Sequence, residues 1–565
     1  MTCFFVMTKK ANSLNRRWIL AGGAAGTALA VTGLSAQTVS NLKVTVTLNG
    51  ATYGYPNGPQ IPSYYVGFRK DGRIVFHLGA LGDLTKANAQ ANAYHLGPHH
   101  VKIENGATVL FDADIPSHWW NSEWTFRPAP LEAKRTPAQI VAANRMFAYG
   151  DTGARVGQVN NYVFKGPMDS AGITTYMPTT GERPDIGLIT DPSASYMLGG
   201  KPGPMLAWAQ GAGSCPMHFR DEKTGKPIDL LKYPAANSYS EPRQGSPWLL
   251  VGPPNPQATG YRQFGGNWTP QQAHYFEMIY LAHVATLDMC FLEDLQYSAN
   301  FTVLCDGYMS QGRRIATIYG EYRGIAWAFR NLFMAHAATQ DAEAAGTLPD
   351  SCLPAAYWKK LLDNQLAYYK QYMVDPTNQT FRLVSGGNRF GPWQADYMLL
   401  ALSFGVLTGH SDWAPLYVWA LSNAIARTNG TSGYPPGWGG AYYLNTAEWV
   451  MGPDGKPDQN KYNPAARLDW GSTFLYQQND PNGARPTPAQ MAALKDDPLN
   501  GGKAMVGSEY LMNTRAVLVA ASVLDKKGLA NVRATYPELD KCIANVDRMV
   551  RNAGSVNPRA AIVAG

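Results

Sequence analysis

One short segment in the middle of the chain combines histidines, a carboxylate and aromatic side chains. It begins at Trp268 and carries His274, Glu277, Tyr280 and His283. In a helix, His274 and Glu277 share one face because they are three residues apart, and so do Tyr280 and His283. A histidine can carry a proton near neutral pH. We therefore treat His274 as a candidate proton carrier and Trp268 and Tyr280 as candidate sugar-binding residues. Hydrogen-bonded interior histidines are the alternative.

A second segment carries Tyr319, Tyr322, Arg323, Trp327 and Arg330. Helical spacing places all of these except Tyr322 along one stripe. Elimination on a uronate needs a cation or amide donors to neutralise the carboxylate, a base, and an acid for the leaving oxygen. Tyr319, Tyr322 and Arg323 supply such groups, and Trp327 would bind substrate beside them. A polar network between helices is the alternative.

A third segment surrounds the start of a predicted helix. Asn388 and Arg389 lie on the preceding loop, Trp393 opens the helix, and Asp396 falls in its first turn. The helix dipole alone favours an acid there, so Asp396 has a structural explanation as well as a catalytic one. We expect Asn388, Arg389 and Trp393 to contact substrate, together with Trp438 from a later aromatic loop.

Hydrolysis of a glycosidic bond would use a different arrangement. It needs two carboxylates on opposite sides of the bond, about 5–10 Å apart depending on the stereochemistry. Glu277, Glu321 and Asp396 are the candidates in the helical half of the chain. Their separation cannot be read from the sequence, so elimination and hydrolysis both stay open. A glycan-binding protein without catalysis is a third possibility.

The sequence predicts no cofactor. His95, His99 and His100 lie close together but lack an HExxH spacing or a nearby acidic partner, which favours loop histidines over metal ligands. The glycine pairs at 199–200 and 265–266 do not belong to a phosphate-binding motif. Residues 454–461 lack the glycine and terminal glutamate of an EF-hand, so a structural Ca²⁺ has no support.

The elements that must position these residues fall into two parts. Residues 40–266 contain short alternating apolar runs separated by turn signals, and we predict a β-sandwich-like domain there. A hairpin signal, Asn105-Gly106, separates two of the runs. The predicted elements of this part include strands at 42–48, 74–78, 101–103, 108–111, 159–164 and 204–208, with a short helix at 138–147.

Residues 267–555 show helical patterns instead. Thr269-Pro270 precedes the first helix and Gly409 follows the fifth, as expected of helix starts and stops. Antiparallel helices joined in series predict a full or partial α/α toroid. The fold class is therefore mixed α and β with more than one domain. The predicted helices are 272–286, 291–304, 315–338, 354–373, 393–407, 413–427, 503–524 and 538–552.

The first 36 residues have the three parts of an export signal. Lys9, Lys10, Arg16 and Arg17 precede an apolar Ala/Gly/Val run, and small residues end it at Ala36. The adjacent arginines resemble a twin-arginine leader, which implies the twin-arginine export machinery as a partner and a periplasmic or secreted protein. A membrane anchor is the alternative, although the apolar run is short and rich in glycine.

Composition limits the remaining classes. The formal charge of +7 falls to +3 without the leader, which is too small to argue for nucleic acid, and we expect no stable membrane insertion after leader removal. The 6 cysteines have no CxxC spacing, so a zinc ribbon is not expected. The 15 Trp and 31 Tyr suit sugar binding or a large aromatic core equally well.

A β-domain followed by helical hairpins, behind an export leader, resembles secreted carbohydrate-active enzymes. These include polysaccharide lyases of the exo-rhamnogalacturonan-lyase type and toroidal glycoside hydrolases. The resemblance covers most of the mature chain in outline and implies a polysaccharide or oligosaccharide substrate. Taken with the residues above, it predicts an exported polysaccharide-degrading enzyme. His274 or Tyr319 would be the base, Tyr322 the acid and Arg323 the carboxylate-binding cation.

Overall fold

The structure is a computed structural model. Residues 1–36, Tyr319, Glu321 and Asn388, which carry several of the predictions above, lie outside the residues it describes. The described residues are 41–79, 95–152, 155–156, 159–177, 183–221, 223–233, 237–239, 248–250, 268, 270–304, 322–374, 389–441, 444–445, 447–451, 453, 457–467, 470–471, 508–551, 555–556 and 558–564.

The fold is mixed, with antiparallel sheets in the N-terminal part and helices after them. The larger sheet has the strand order β2-β1-β6-β7, and a second has the order β3-β4-β9. The strands are β1 (Leu42–Leu48), β2 (Ala51–Tyr55), β3 (Tyr64–Phe68), β4 (Ile74–Leu78), β5 (His95–Leu96), β6 (His99–Asn105), β7 (Thr108–Ile115), β8 (His118–Trp119), β9 (Ser122–Phe126), β10 (Arg155–Val156), β11 (Asn237–Tyr239), β12 (Trp248–Leu250), β13 (Arg389–Phe390), β14 (Leu444–Asn445), β15 (Ala447–Met451), β16 (Pro457–Arg467) and β17 (Ser555–Val556).

Aromatic rings connect the two main sheets. Trp124 of β9 stacks on Phe76 of β4, with the ring centroids 3.9 Å apart. The ring of Phe111, from β7 of the larger sheet, lies 5.7 Å from the Trp124 ring. Because side chains alternate along a strand, Trp124 and its neighbour Glu123 point to opposite faces of β9. Trp124 therefore packs between the sheets while Glu123 faces the other way.

The longer helices pack on one another, including pairs that are not neighbours in the sequence. Among the described elements, α5 contacts α6, α6 contacts α7 and α8, and α8 contacts α9 and α10. None of these described helices combines the length and apolar character needed to cross a bilayer. The helices are α1 (Pro137–Ala142), α2 (Asp191–Met197), α3 (Gly203–Ala212), α4 (Tyr280–Thr286), α5 (Met289–Leu304), α6 (Tyr322–Ala344), α7 (Ala355–Val374), α8 (Pro392–Leu407), α9 (Ala414–Thr428), α10 (Ser508–Lys526), α11 (Val532–Thr535) and α12 (Leu539–Arg551).

Three predicted elements of the N-terminal part differ in the structure. Residues 159–164 do not form a strand, and the predicted strand at 204–208 lies within α3. A short buried apolar run fits either element, and the Pro at the start of α3 suits the first turn of a helix. The predicted helix at 138–147 ends at Ala142. It begins with a capping box between Thr136 and Gln139.

The predicted helix at 272–286 is interrupted. A single 3₁₀ turn, Gln272–His274, is followed by non-helical residues, and α4 begins only at Tyr280. A carboxylate oxygen of Glu277 accepts hydrogen bonds from the main-chain N–H groups of Ile279 (3.0 Å) and Tyr280 (2.6 Å). The side chain therefore satisfies amides at the start of α4 that have no partner within the helix.

Ion pairs fasten the second sheet to the helical part. Arg69 donates to Glu293 of α5 (Nε to Oε1, 2.9 Å). Asp288, just before α5, accepts from Arg127 (Nε to Oδ2, 3.0 Å) and also binds Arg73. These carboxylates and arginines are largely buried, so their mutual pairing is what makes the burial of charge tolerable.

Candidate functional site

The turn that carries His274 packs against the start of α6, beside Arg323. The Gly324 backbone comes so close that a Cβ there would lie 3.2 Å from the Ala273 nitrogen. Gln272 in the same turn donates from Nε2 to the carbonyl of Thr302 in α5 (3.0 Å). The turn and the start of α6 therefore approach each other closely beside His274 and Arg323. This region is called the Arg323 corner below.

Arg323 lies over an aromatic wall. Its Cζ is 5.3 Å from the centroid of the Trp393 ring, a distance at which a guanidinium is attracted to an indole face. The Trp393 ring is in turn 5.7 Å from Tyr397 and 5.6 Å from Tyr510. The Trp327 ring also lies against Tyr397, with the ring centroids 4.6 Å apart. Three elements, α6, α8 and α10, therefore hold the arginine in place.

The side chains at this corner differ in their exposure to solvent. Tyr322 and Arg323 are partly exposed, so both can meet a ligand. Trp393 is only 1% exposed and Trp327 is fully buried. Trp268 and Trp438, which the sequence also suggested as sugar-binding residues, are buried in the same way. In the described structure these four indoles are therefore covered by protein and are not available to stack on a sugar.

His274 is fixed at both its ring and its main chain. The ring Nδ1 is hydrogen-bonded to Oε1 of Gln271, and the main-chain carbonyl of His274 accepts from Nη2 of Arg183 (2.9 Å). Arg183 itself pairs with Asp185 at 2.9 Å. These bonds fix the orientation of the ring, which a proton carrier requires. The residue is only 6% exposed, so His274 is buried, as the interior-histidine alternative predicts.

The candidate residues that follow His274 have structural partners. Burial raises the pKa of the Glu277 carboxyl, and the charge of Arg330 acts in the opposite direction. The hydroxyl of Tyr280 donates to the main-chain carbonyl of Arg145 (3.0 Å), and burial raises its pKa. Glu277 therefore caps the start of α4, and Tyr280 connects α4 to the segment that contains Arg145.

Asp396 belongs to a fully buried ion pair. Its Oδ1 accepts from Nη2 of Arg427 at 2.6 Å, and its Oδ2 accepts from the hydroxyl of Thr514 at 2.6 Å. Both charged side chains are 0% exposed. Burial raises the pKa of Asp396, and the Arg427 guanidinium opposes that shift. Asp396 therefore joins α8, α9 and α10 inside the helical part, without exposure to solvent.

The predicted loop histidines also differ in the structure. His99 and His100 lie on β6, in the larger sheet. The exposed His100 ring has acidic partners after all, with Nδ1 2.8 Å from Asp114 and Nε2 2.6 Å from Asp112. These two carboxylates come from the neighbouring strand β7, and the pairing of β6 with β7 brings them to His100. Their hydrogen bonds raise the pKa of His100.

A buried polar cluster lies on the far side of the second sheet, and none of its members is among the candidate site residues predicted from the sequence. Glu123 of β9 pairs with His77 of β4, and their nearest side-chain atoms, Oε2 and Nδ1, are 3.6 Å apart. His218, from the segment after α3, contacts Asp294 of α5 through Nε2 at 2.8 Å. One ligand atom each from Glu123, His218 and Asp294 lie within 4.8 Å of one another. These four residues are called the His77–Asp294 cluster below.

Burial dominates the electrostatics of this cluster. It raises the pKa of Glu123 well above the usual carboxyl value, and the negative charges of Asp294 and Glu293 raise it further. Burial likewise lowers the pKa of His77 well below the usual value, so the ring is neutral at neutral pH. Oε1 of Glu123 and both ring nitrogens of His77 are buried without a hydrogen-bond partner. Unsatisfied groups in such a position call for an explanation.

An open cleft of about 1330 Å³ lies between β7, β9 and α3. Its lining combines aromatic rings with a few polar groups, the composition expected of a ligand-binding site. Val163 on its rim is 57% exposed. The lining includes Phe111, Trp124, Phe126, Tyr162 and Phe164, with Arg127, Lys165 and Gln210 among the polar residues.

No family model, curated protein or solved structure matches this chain.

Proposed function

We propose that the chain is an exported enzyme that cleaves a uronate-containing polysaccharide by β-elimination at the Arg323 corner. The observation that carries the proposal is the position of Arg323, partly exposed, held over Trp393 and adjoining the turn of His274. A fixed guanidinium can bind a carboxylate through paired hydrogen bonds. That interaction stabilises the negative charge that develops when the neighbouring carbon loses its proton.

The reaction breaks two bonds and forms one carbon–carbon double bond. The base, His274 or Tyr319, takes the proton from the carbon next to the uronate carboxylate. The electron pair forms the double bond, and the glycosidic C–O bond breaks on the adjacent carbon. Tyr322, partly exposed beside Arg323, gives its proton to the leaving oxygen. No water is consumed, and one product carries an unsaturated uronate.

The carboxylates favour elimination over hydrolysis. Of the three that hydrolysis would use, Glu277 caps α4 and Asp396 is paired with Arg427 and Thr514. Both are buried, as is His274, whereas Tyr322 and Arg323 are partly exposed. A hydrolase needs two carboxyl groups that reach opposite sides of the bond. The described part of the chain therefore offers a better cation for elimination than a carboxylate pair for hydrolysis.

The proposal also includes the export of the chain and the architecture of its two parts. Residues 1–36 would direct export through the twin-arginine machinery, as supported by their basic, apolar and small-residue sections. The helices from α4 onward would be hairpins of a full or partial α/α toroid, as supported by the packing of α5 on α6, α6 on α7 and α8 on α9. Helix α6 also packs on α8, and α8 on α10. The two main antiparallel sheets would be the two layers of the β-sandwich.

A glycan-binding role without catalysis is the second candidate, and one observation favours it. The open cleft beside β7 and β9 has aromatic rings and the cation Lys165 in its lining, which suits an acidic sugar chain. Under this alternative the chain binds acidic glycans and leaves them intact.

Substitution of Arg323 distinguishes these candidates. For Arg323→Gln we expect kcat/KM on an acidic polysaccharide to fall by about 10²–10³-fold, with partial recovery in Arg323→Lys. The control is Arg145→Gln, which removes a partly buried arginine that pairs with Asp341 and leaves the corner intact. If Arg323→Gln retains the wild-type rate, Arg323 is not the carboxylate-binding cation. Binding without any cleavage by the wild type would favour the glycan-binding alternative.

A further inference from the structure

The His77–Asp294 cluster joins three separate regions of the chain. Glu123 and His77 come from paired strands of the second sheet, His218 from the segment after α3, and Asp294 from α5. All four side chains are buried. Two carboxylates enclosed together repel each other, so one of them takes up a proton or a positive charge lies close to both. The charges of Arg69 and Arg220 act on Glu123 in this sense, and a bound cation would do so more directly.

We infer that Glu123, His218 and Asp294 bind one divalent transition-metal ion of the Zn²⁺ type, with His77 as a fourth ligand. The ligand atoms of the first three residues lie within 4.8 Å of one another. Metal bonds of about 2.0–2.2 Å in a tetrahedral shell place ligand atoms about 3.3–3.6 Å apart. The 2.8 Å between His218 and Asp294 is shorter than that spacing, and the 3.6 Å between His77 and Glu123 lies at its upper end. Small side-chain shifts bring these two pairs to the spacing of a metal shell.

The surroundings of His218 match those of a metal-binding histidine. Its Nδ1 lies 3.3 Å from the main-chain carbonyl of Asn121, and its Nε2 is directed at Asp294. A metal-ligating histidine commonly donates its second ring N–H to a carbonyl, which fixes the tautomer and the ring orientation. Asn121 itself adopts a positive φ of 59° in the turn before Glu123. That turn therefore positions both a ligand and the carbonyl that orients another ligand.

The donor types identify the class of metal. Imidazole nitrogens combined with carboxylate oxygens suit Zn²⁺ and neighbouring divalent transition metals, whereas Ca²⁺ prefers six to eight oxygen ligands. The unpartnered Oε1 of Glu123 and ring nitrogens of His77 add donor capacity that the protein itself does not use. Four protein ligands and complete burial fit a closed, structural metal site. We assign it the role of connecting the second sheet to α5, separate from the proposed elimination chemistry.

Metal analysis of the purified full chain tests this inference. The protein is treated with EDTA, incubated separately with Zn²⁺, Mn²⁺ or Ca²⁺, passed through a desalting column, and analysed by mass spectrometry for bound metal. Thermal unfolding is recorded in parallel. The variants His218→Gln and Glu123→Gln remove ligands. The control His410→Gln removes a buried histidine from another part of the fold, where Nδ1 bonds to the Gly405 carbonyl.

We expect one Zn²⁺ per wild-type chain, a lower melting temperature after EDTA, and its recovery with Zn²⁺. The ligand variants should lose bound metal and their response to EDTA, and His410→Gln should keep both. Absence of stoichiometric Zn²⁺ or Mn²⁺ in the wild type would overturn the inference, as would binding of Ca²⁺ alone. Full metal occupancy in His218→Gln or Glu123→Gln would also overturn it. If a ligand variant fails to fold, the wild-type metal content still decides.

Discussion

The Asp396–Arg427 pair allows a direct test of whether Asp396 is structural. Replacing Arg427 with Met keeps most of the side-chain volume but removes the charge. The change deletes the hydrogen bonds to Asp396 (2.6 Å) and to the carbonyl of Asn423 (3.1 Å), together with the one to Gly439. Asp396 stays fully buried in this variant. Of the two side chains that bond to its carboxylate, Arg427 and Thr514, only Thr514 remains.

The expected loss of stability follows from leaving the Asp396 carboxylate without its arginine partner. Removing one member of a buried ion pair costs about 3–5 kcal/mol, because the remaining charge must stay unpaired or take up a proton. The matched control is Lys359→Met, since Lys359 is 43% exposed and pairs with the similarly exposed Asp363 and Asp412. Exposed pairs contribute about 0–1 kcal/mol, so the control should unfold almost as the wild type does.

Equilibrium urea unfolding gives the comparison. Circular dichroism and tryptophan fluorescence are recorded together, because coincident transitions are needed before a free energy of unfolding is assigned. We expect the free energy of unfolding to fall by about 3–5 kcal/mol in Arg427→Met. If Arg427→Met and Lys359→Met differ by less than about 1 kcal/mol, the interpretation of Asp396 as a structural partner of Arg427 is wrong.

Two further predictions concern packing and pH. Gly405→Ala places a Cβ 2.6 Å from Cζ of Phe333, so the ring must shift, and calorimetry should show a loss of about 1–3 kcal/mol. The Asp114 and Asp112 hydrogen bonds raise the pKa of His100, so their contribution to stability is complete below the ordinary histidine pKa and is lost as pH rises through the raised value. Titration by NMR should show this pKa fall towards its ordinary value in Asp114→Asn; an unchanged value would contradict the pairing.

The sequence predicted helix positions closely where residues typical of helix ends, such as proline and glycine, bounded an apolar segment. The predicted helix at 393–407 corresponds to α8, Pro392–Leu407, because Pro392 suits the first turn and Gly409 adopts a positive φ of 106° just beyond its end. The predicted helix at 354–373 similarly corresponds to α7. In both cases the information that sets the boundary is local.

Predictions of secondary structure were wrong where a side-chain contact or a contact distant in sequence decides which element forms. The helix predicted over 272–286 is interrupted because Glu277 binds the amides of residues 279 and 280, which periodicity alone does not indicate. Residues 204–208 are a run of buried side chains that a strand or a helix would accommodate equally.

The candidate sites show the same division. The contact of Arg323 with Trp393 joins two segments that the sequence had singled out separately. The His77–Asp294 cluster was not found, since its members stand alone in mainly apolar runs and meet only through strand pairing and the docking of α5. A charged residue inside a tryptophan-rich run, as at Glu123, was the available signal.

The central claim is elimination on a uronate, and the product's double bond reports it directly. The measurement is ultraviolet absorbance of the unsaturated uronate during incubation of the purified mature chain with polyuronates and with their carboxyl-reduced, neutral counterparts. We predict a rise with an acidic polymer, no rise with its neutral counterpart, and loss of the rise in Arg323→Gln. New reducing ends without that absorbance, or no cleavage of any acidic polymer, would contradict the proposed function.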